Sequence, residues 1–226
     1  EVENVGALND LILAGKSTEI IRISEALHEK KLASIADMIY DSGHAKRIVL
    51  ISGPSSSGKT TFAQRLSIQL RVNGLKPVTI SLDDYFVDRV NTPRDEFGEY
   101  DFEALEAVDV RLFNEQLQEL ISGKEVEVPI FNFHTGNREA VGRRLQIDDD
   151  NILVIEGIHG LNEKLTHEIP RQLKFKIYVS ALTSMNIDDH NRIPTTDNRI
   201  LRRIVRDHQF RGNNALGTLK WWPSVR

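Results

Sequence analysis

The sequence predicts a three-layer α/β domain around a central parallel sheet. Short β-branched apolar runs alternate with helical segments, no unit of the chain repeats, and a Gly/Ser-rich loop joins the first run to the helix after it. With 226 residues, 40% of them hydrophobic and 27% charged, and only 14 Gly and 7 Pro, the chain has the composition of a folded domain with a sizeable core.

The elements follow in order. Ile20, Ile21, Ile23, Leu27, Leu32, Ile35, Met38 and Ile39 recur at three- and four-residue spacings over 17–40, as on an amphipathic packing helix. Asp41-Ser42-Gly43-His44 ends it, and Arg47 to Ser52 is a short buried strand. A helix over Thr61 to Val72 stops at Asn73-Gly74, and Pro77 to Leu82 is a second strand, so the three elements make a right-handed parallel unit. A helix is expected at about 104–122, extended chain around Pro129 from Val126 to Phe133, and further strands at Asn151 to Ile155 and Phe175 to Ser180. Residues 186–214 carry six arginines and read as a surface excursion leading into or containing a helix.

Composition removes several function classes. A net charge of −4 provides no broad basic field for nucleic acid. Without cysteine there is no disulfide, thiolate zinc site, iron–sulfur cluster or cysteine nucleophile. No run approaches the roughly 18 apolar residues of a membrane span, and Glu1-Val2-Glu3 is no signal peptide, so a cytoplasmic protein with no membrane partner is expected. His159, His190 and His208 lack metal-ligand spacing. The missing initiating Met and the ending Trp221-Trp222-Pro223-Ser224-Val225-Arg226 suggest a fragment of a longer protein.

The chemistry concentrates after the first strand. Gly53-Pro54-Ser55-Ser56-Ser57-Gly58-Lys59-Thr60 fits G-x-x-x-x-G-K-[ST], with a strand before it and a helix after it. The bare pattern would arise by chance in about one such chain in a hundred, and the strand–helix context makes chance a poor account. Small residues let backbone N–H groups curl around phosphates, Lys59 neutralises the β/γ oxygens, and the Thr60 hydroxyl suits Mg²⁺. The loop implies a nucleotide such as ATP and does not name the reaction.

Two strand-end acids narrow it. Asp83 and Asp84 follow the second strand, where ligands of an open α/β sheet gather; Asp83 is the candidate base and Mg²⁺ partner, and helix capping is the plainer alternative for either. Glu156 ends the third strand, so Thr60, Asp83 and Glu156 form a candidate oxygen donor set for Mg²⁺. Arg199, Arg202, Arg203, Arg206 and Arg211 recur at mostly helical steps. They are a lid that neutralises a transferring phosphoryl group or a solvated face paired with Asp197 and Asp207, with a groove for RNA as a lesser third reading. The segments Tyr100 to Glu103 and Val128 to Gly136 place aromatics among polar groups, suited to a base and ribose or to plain core; His134 alone reads as a loop histidine.

Gly53 to Thr61, Ser81 to Phe86, Tyr100 to Asp109, Val128 to Phe133, Leu153 to Gly157 and Arg202 to Gly212 resemble, in order and spacing, the uridine kinase and phosphoribulokinase family of P-loop kinases. Among these the chain looks most like bacterial uridine kinase-like proteins with an N-terminal TGS and threonyl-tRNA-synthetase-like region. The resemblance implies a P-loop fold with an Arg-rich lid over about 186–214, a kinase domain over 46–226 that lacks its C-terminal continuation, and connecting helices over 1–45. It implies ATP and Mg²⁺, with Gly53, Ser55, Ser56, Ser57, Gly58, Lys59, Thr60, Thr61 and Arg203 on the nucleotide. Asp83, Lys59, Arg206 and Arg211 then serve catalysis, Thr60, Asp83 and Glu156 the metal, and Tyr85, Phe102, Glu103, Phe131, Phe133 and His134 the acceptor. Asn213 stands where uridine kinases carry a second lid arginine, and Gly136 where pyrimidine nucleoside kinases carry a pocket histidine.

The activity this implies is phosphoryl transfer to the primary hydroxyl of a small molecule, foremost a nucleoside. A phosphoribulokinase- or pantothenate-kinase-like acceptor is the alternative within the class, and a nucleotide-binding regulatory module acting on tRNA or the ribosome the alternative outside it. Nothing in the sequence sets the oligomeric state, and a homo-oligomer is allowed.

Overall fold

A computed structural model describes residues 2–43 and 46–225; His44 and the last residue of the predicted tail, Arg226, lie outside them. Helix α1 (Val5–Leu13) and the long α2 (Ser17–Asp41) precede β1 (Ile48–Ser52), α3 (Lys59–Val72) and β2 (Lys76–Ser81). Then come α4 (Val110–Ile121), the short strands β3 (Val126–Val128), β4 (Phe131–Asn132), β5 (Asn137–Arg138) and β6 (Arg143–Leu145), and the sheet strands β7 (Asn151–Glu156) and β8 (Lys174–Tyr178). Helices α5 (Thr195–Phe210) and α6 (Ala215–Val225) close the chain.

The four long strands form one parallel sheet in the order β2-β7-β1-β8. Every residue of β1 is buried, as a central strand covered on both faces must be. Ile48 and Leu50 turn to one face, toward Phe113, Leu117 and Leu120 of α4, while Val49 and Ile51 turn to the other, toward Leu66 and Leu70 of α3 and Leu32, Ala36 and Ile39 of α2. The sheet therefore has a helical layer on each side. Register then sets the functional edge: Glu156 pairs with Ser81 on one side and with Ile51 on the other, so the chain segments that follow β2, β7 and β1 leave the sheet at one level.

Several elements differ from the sequence expectation. The helix expected from about 104 starts at Val110, because the Asp109 side chain accepts a hydrogen bond from the Leu112 amide 3.0 Å away and fixes the N-terminus there. Along α2 the packing face is shorter than its periodicity suggested. Leu32, Ala36 and Ile39 are buried, whereas Ile21, Ile23, Leu27 and Met38 are more than half exposed. The stretch 126–145 is two small ribbons, β3 with β6 and β4 with β5, rather than one extended segment, since Pro129 interrupts the pairing. Residues before α1 pair with the excursion: the Val5 amide donates to Asn186 O at 3.0 Å and the Asn186 amide to Glu3 O at 2.9 Å. No helix among the described residues is long and apolar enough to cross a membrane.

Candidate active site

The loop after β1 has the backbone that phosphate binding requires. Ser56 (φ 61°) and Gly58 (φ 98°) are left-handed, a sequence of turns that aims consecutive N–H groups into one concavity. Gly58 is also the N-cap of α3, so the partial positive charge of that helix faces the same space. The hydroxyls of Ser56 and Ser57 are buried without a hydrogen-bond partner among the described residues, and Lys59 Nζ donates only to Pro54 O at 3.2 Å. Burial draws the lysine below its ordinary pKa, opposed by the charges of Glu156, Asp83 and Glu103, so three carboxylates gather near one ammonium.

The strand-end acids meet there for a packing reason. A Cβ on Gly157 would lie 2.6 Å from Leu82 Cβ, so only glycine lets the end of β7 come this close to the turn after β2. Glu156 Oε1 accepts from the Thr60 hydroxyl at 2.9 Å and from the Ser81 hydroxyl at 3.3 Å. Burial raises its pKa, and the charge of nearby Asp83 raises it further. Asp84 points elsewhere, toward the Phe131 backbone, with its own pKa raised by burial. The acidic pair therefore divides into a site residue and a structural one.

Two carboxylates and a hydroxyl fit Mg²⁺, which takes few protein ligands and fills its octahedron with water and phosphate oxygens. No group of three His, Cys, Asp or Glu side chains is placed to hold a metal by itself among the described residues.

Helix α5 lies across the loop. Arg199 Nε donates to Ser55 O at 3.0 Å, Arg202 Nε to Ser56 O at 3.1 Å, and an Arg203 amino group to Ser55 Oγ at 2.9 Å. The solvated-face alternative holds only in part: Arg202 is exposed and the arginines do pair with Asp207, but Arg199 and Asp207 are only 7% and 3% exposed. Asp207, which sequence reasoning placed only in that alternative, organises the group: it accepts from Arg203 Nε at 3.2 Å and from an Arg206 amino group at 2.7 Å, and lies 4.0 Å from Arg211 Nε. Arg211 reaches across to Asp83 at 3.5 Å with its guanidinium 4.0 Å above the Phe133 ring, and burial pushes its pKa down to about 10.

The expected acceptor residues separate into two sets. Glu103 sits near Arg203, Lys59 and Asp83, and burial raises its pKa. Phe102 meets Phe86 and Trp221 of α6, and Phe133 is half-buried beneath Arg211. His134 is exposed, its ring beside Gly212. Phe131 is buried behind Phe133, with ring centroids 5.2 Å apart. Tyr85 is a correction: it is 1% exposed, its ring packs edge-on against Phe113, and its hydroxyl donates to Gln116. The 3-10 turn that exposes Asp83 rotates Tyr85 into the core.

A phosphate loop, two strand-end acids and an arginine helix in this order match the model of the "Phosphoribulokinase / Uridine kinase family" over residues 48–225. The chain belongs to that family. Relatives within reach include proteins named uridine kinase from Ureaplasma parvum, 25% identical over 79% of this chain and 77% of the relative, and from Staphylococcus aureus, 29% identical over 80% and 78%. A uridine kinase from Brevibacillus brevis is 29% identical over 74% and 69%. Among solved structures, a putative fructose transport system kinase from Silicibacter sp. TM1040 shares the fold, with a TM-score of 0.55 and 16% identity over 84% of this chain and 86% of that one. Family members are phosphotransferases with an alcohol acceptor, and a three-layer P-loop kinase fold is what the sheet and loop here provide.

Proposed function

We propose that this chain transfers the γ-phosphoryl group of ATP to the primary hydroxyl of a nucleoside. One observation carries the reading: Asp83 and Glu156, on neighbouring strand ends, share a site with Lys59 and Thr60 while a helix of arginines closes over the same loop. That the relatives from Ureaplasma parvum, Brevibacillus brevis and Staphylococcus aureus are named uridine kinases supports the nucleoside as acceptor.

The roles follow from position. The loop amides, Ser56 and Ser57 hold the β-phosphate, and Lys59 spans the β/γ oxygens. Thr60 and Glu156, with Asp83, would hold Mg²⁺, which would supply positive charge to offset that of the phosphates. Asp83 orients the acceptor hydroxyl and takes its proton as the oxygen attacks phosphorus, and Arg203, Arg206 and Arg211 stabilise the charge on the transferring group. Glu103, close to Asp83 and Lys59, is placed to accept hydrogen bonds from the ribose hydroxyls, and Phe102 and Phe133 supply apolar surface for the base.

The test is ADP formation from Mg-ATP in the presence of each common ribonucleoside. Turnover stimulated by at least one is expected; release of ADP that no nucleoside stimulates overturns the acceptor assignment.

A further inference from the structure

Beside Phe133 lies a guanidinium that none of these roles uses. Arg89 follows the turn after β2, and its backbone amide donates to Gly136 O at 2.8 Å, fastening this segment to the tip of the β4–β5 hairpin. The side chain folds back over that tip. A Cβ on Gly136 would lie 2.6 Å from Arg89 Cζ and Nε, so the absence of a side chain there is what seats the guanidinium. An amino group of Arg89 donates to Phe133 O across a long 3.4 Å contact. Arg89 forms no ion pair among the described residues, and it is exposed.

The hairpin it folds over is tied down at several points. Arg138 ties it to Tyr85 O and Phe86 O, at 2.9 Å each, and to Asp109, while Asn132 Oδ1 caps the amides of His134 and Thr135. The segment from Asp83 to Arg89 and the hairpin are therefore one body, with a hydroxyl-activating carboxylate at one end and an arginine with unused donors at the other. Between them stands Phe133, half-buried, with the Arg211 guanidinium on one face of its ring and the rest of its exposed surface left for an apolar contact.

The geometry points to Arg89 as the residue that selects the acceptor, by donating hydrogen bonds to oxygen lone pairs on the edge of a base held beside Phe133. A guanidinium has donors and no acceptor. It rewards a keto edge such as that of uracil, and leaves an exocyclic amino group such as that of cytosine facing a second donor. This rests on the nucleoside reading above; the same donors would also suit the phosphate of a sugar phosphate, which the test separates.

The experiment measures kcat and KM for uridine, cytidine and ribulose 5-phosphate with the intact chain and with Arg89→Ala, Arg89→Lys and Gly136→Ala, alongside ADP affinity and thermal melting. Expected is a preference for uridine over cytidine. In Arg89→Ala that preference collapses toward unity through an increase of about ten- to a hundred-fold in KM for uridine, with ADP affinity and melting unchanged. Arg89→Lys restores part of it, and Gly136→Ala, which displaces the guanidinium, repeats the loss with the arginine still present. An unchanged uridine-to-cytidine ratio in Arg89→Ala overturns the proposal. Activity on ribulose 5-phosphate alone, lost in Arg89→Ala, overturns the nucleoside reading and the keto selection while retaining Arg89 as an oxygen-binding residue.

Discussion

Asp207→Ala tests how the arginine helix is held. The carboxylate is buried, with only 4% of its side chain exposed, and contacts Arg203 and Arg206 directly and Arg211 more distantly. Removing it leaves three cations facing one another: Arg203, whose side chain is 12% exposed, Arg206 at 30% and Arg211 at 22%. Breaking a buried ion cluster by removing one partner destabilises by about 3–5 kcal/mol. Much of that falls on α5, whose arginine contacts to the rest of the described residues are hydrogen bonds to Ser55, Ser56 and Val225 and the Arg199 guanidinium over the Trp222 ring, so local opening absorbs it. Amide hydrogen exchange over 195–210 should therefore quicken by roughly a hundred- to several-thousand-fold, while amides of β1 and β7 keep their protection. Turnover should fall with it, since the arginines no longer converge. Unchanged protection over 195–210 with unchanged kcat would refute Asp207 as the organiser.

Glu156→Gln should abolish most turnover, by about a hundred-fold or more, yet raise the melting temperature near neutral pH when measured without nucleotide or Mg²⁺. The folded pKa lies above the ordinary 4.5, so at pH values between the two the folded chain holds a proton that the unfolded chain has released. Stability therefore falls as pH rises from 4.5 through the raised value, and the amide removes that penalty. For the same reason Mg-ATP affinity of the native chain should weaken as pH is lowered into that window, measured by calorimetry. Gly157→Ala forces a Cβ against Leu82 and should cost about 1–3 kcal/mol in denaturant unfolding, with a loss of Mg²⁺-dependent turnover as Glu156 and Asp83 separate.

The sheet and the phosphate loop were legible because their signals are local. Four consecutive β-branched or leucine positions, Ile48 to Ile51, specify β1, and the loop pattern carries its own backbone requirement in Ser56 and Gly58. Asp83 and Glu156 could be named because strand ends are where a parallel sheet collects its ligands. Tyr85 could not be sorted, since a single turn of 3-10 helix decides whether it faces the cleft or Phe113. The burial of Asp207 was equally hidden: helical spacing puts it beside arginines but does not say that α6 covers it. Arg89 left no signal of its own, because its partner is the missing side chain of Gly136, forty-seven residues away in sequence.

Phosphoryl transfer to an alcohol through Asp83 is tested most directly by Asp83→Asn. The amide is nearly isosteric, and the contact with Arg211 is partly exposed and worth less than about 1 kcal/mol, so folding and ADP affinity should be retained. Nucleoside-stimulated kcat should fall about a hundred-fold or more. A variant that binds ADP normally and still phosphorylates its acceptor at the native rate would contradict the role given to this carboxylate.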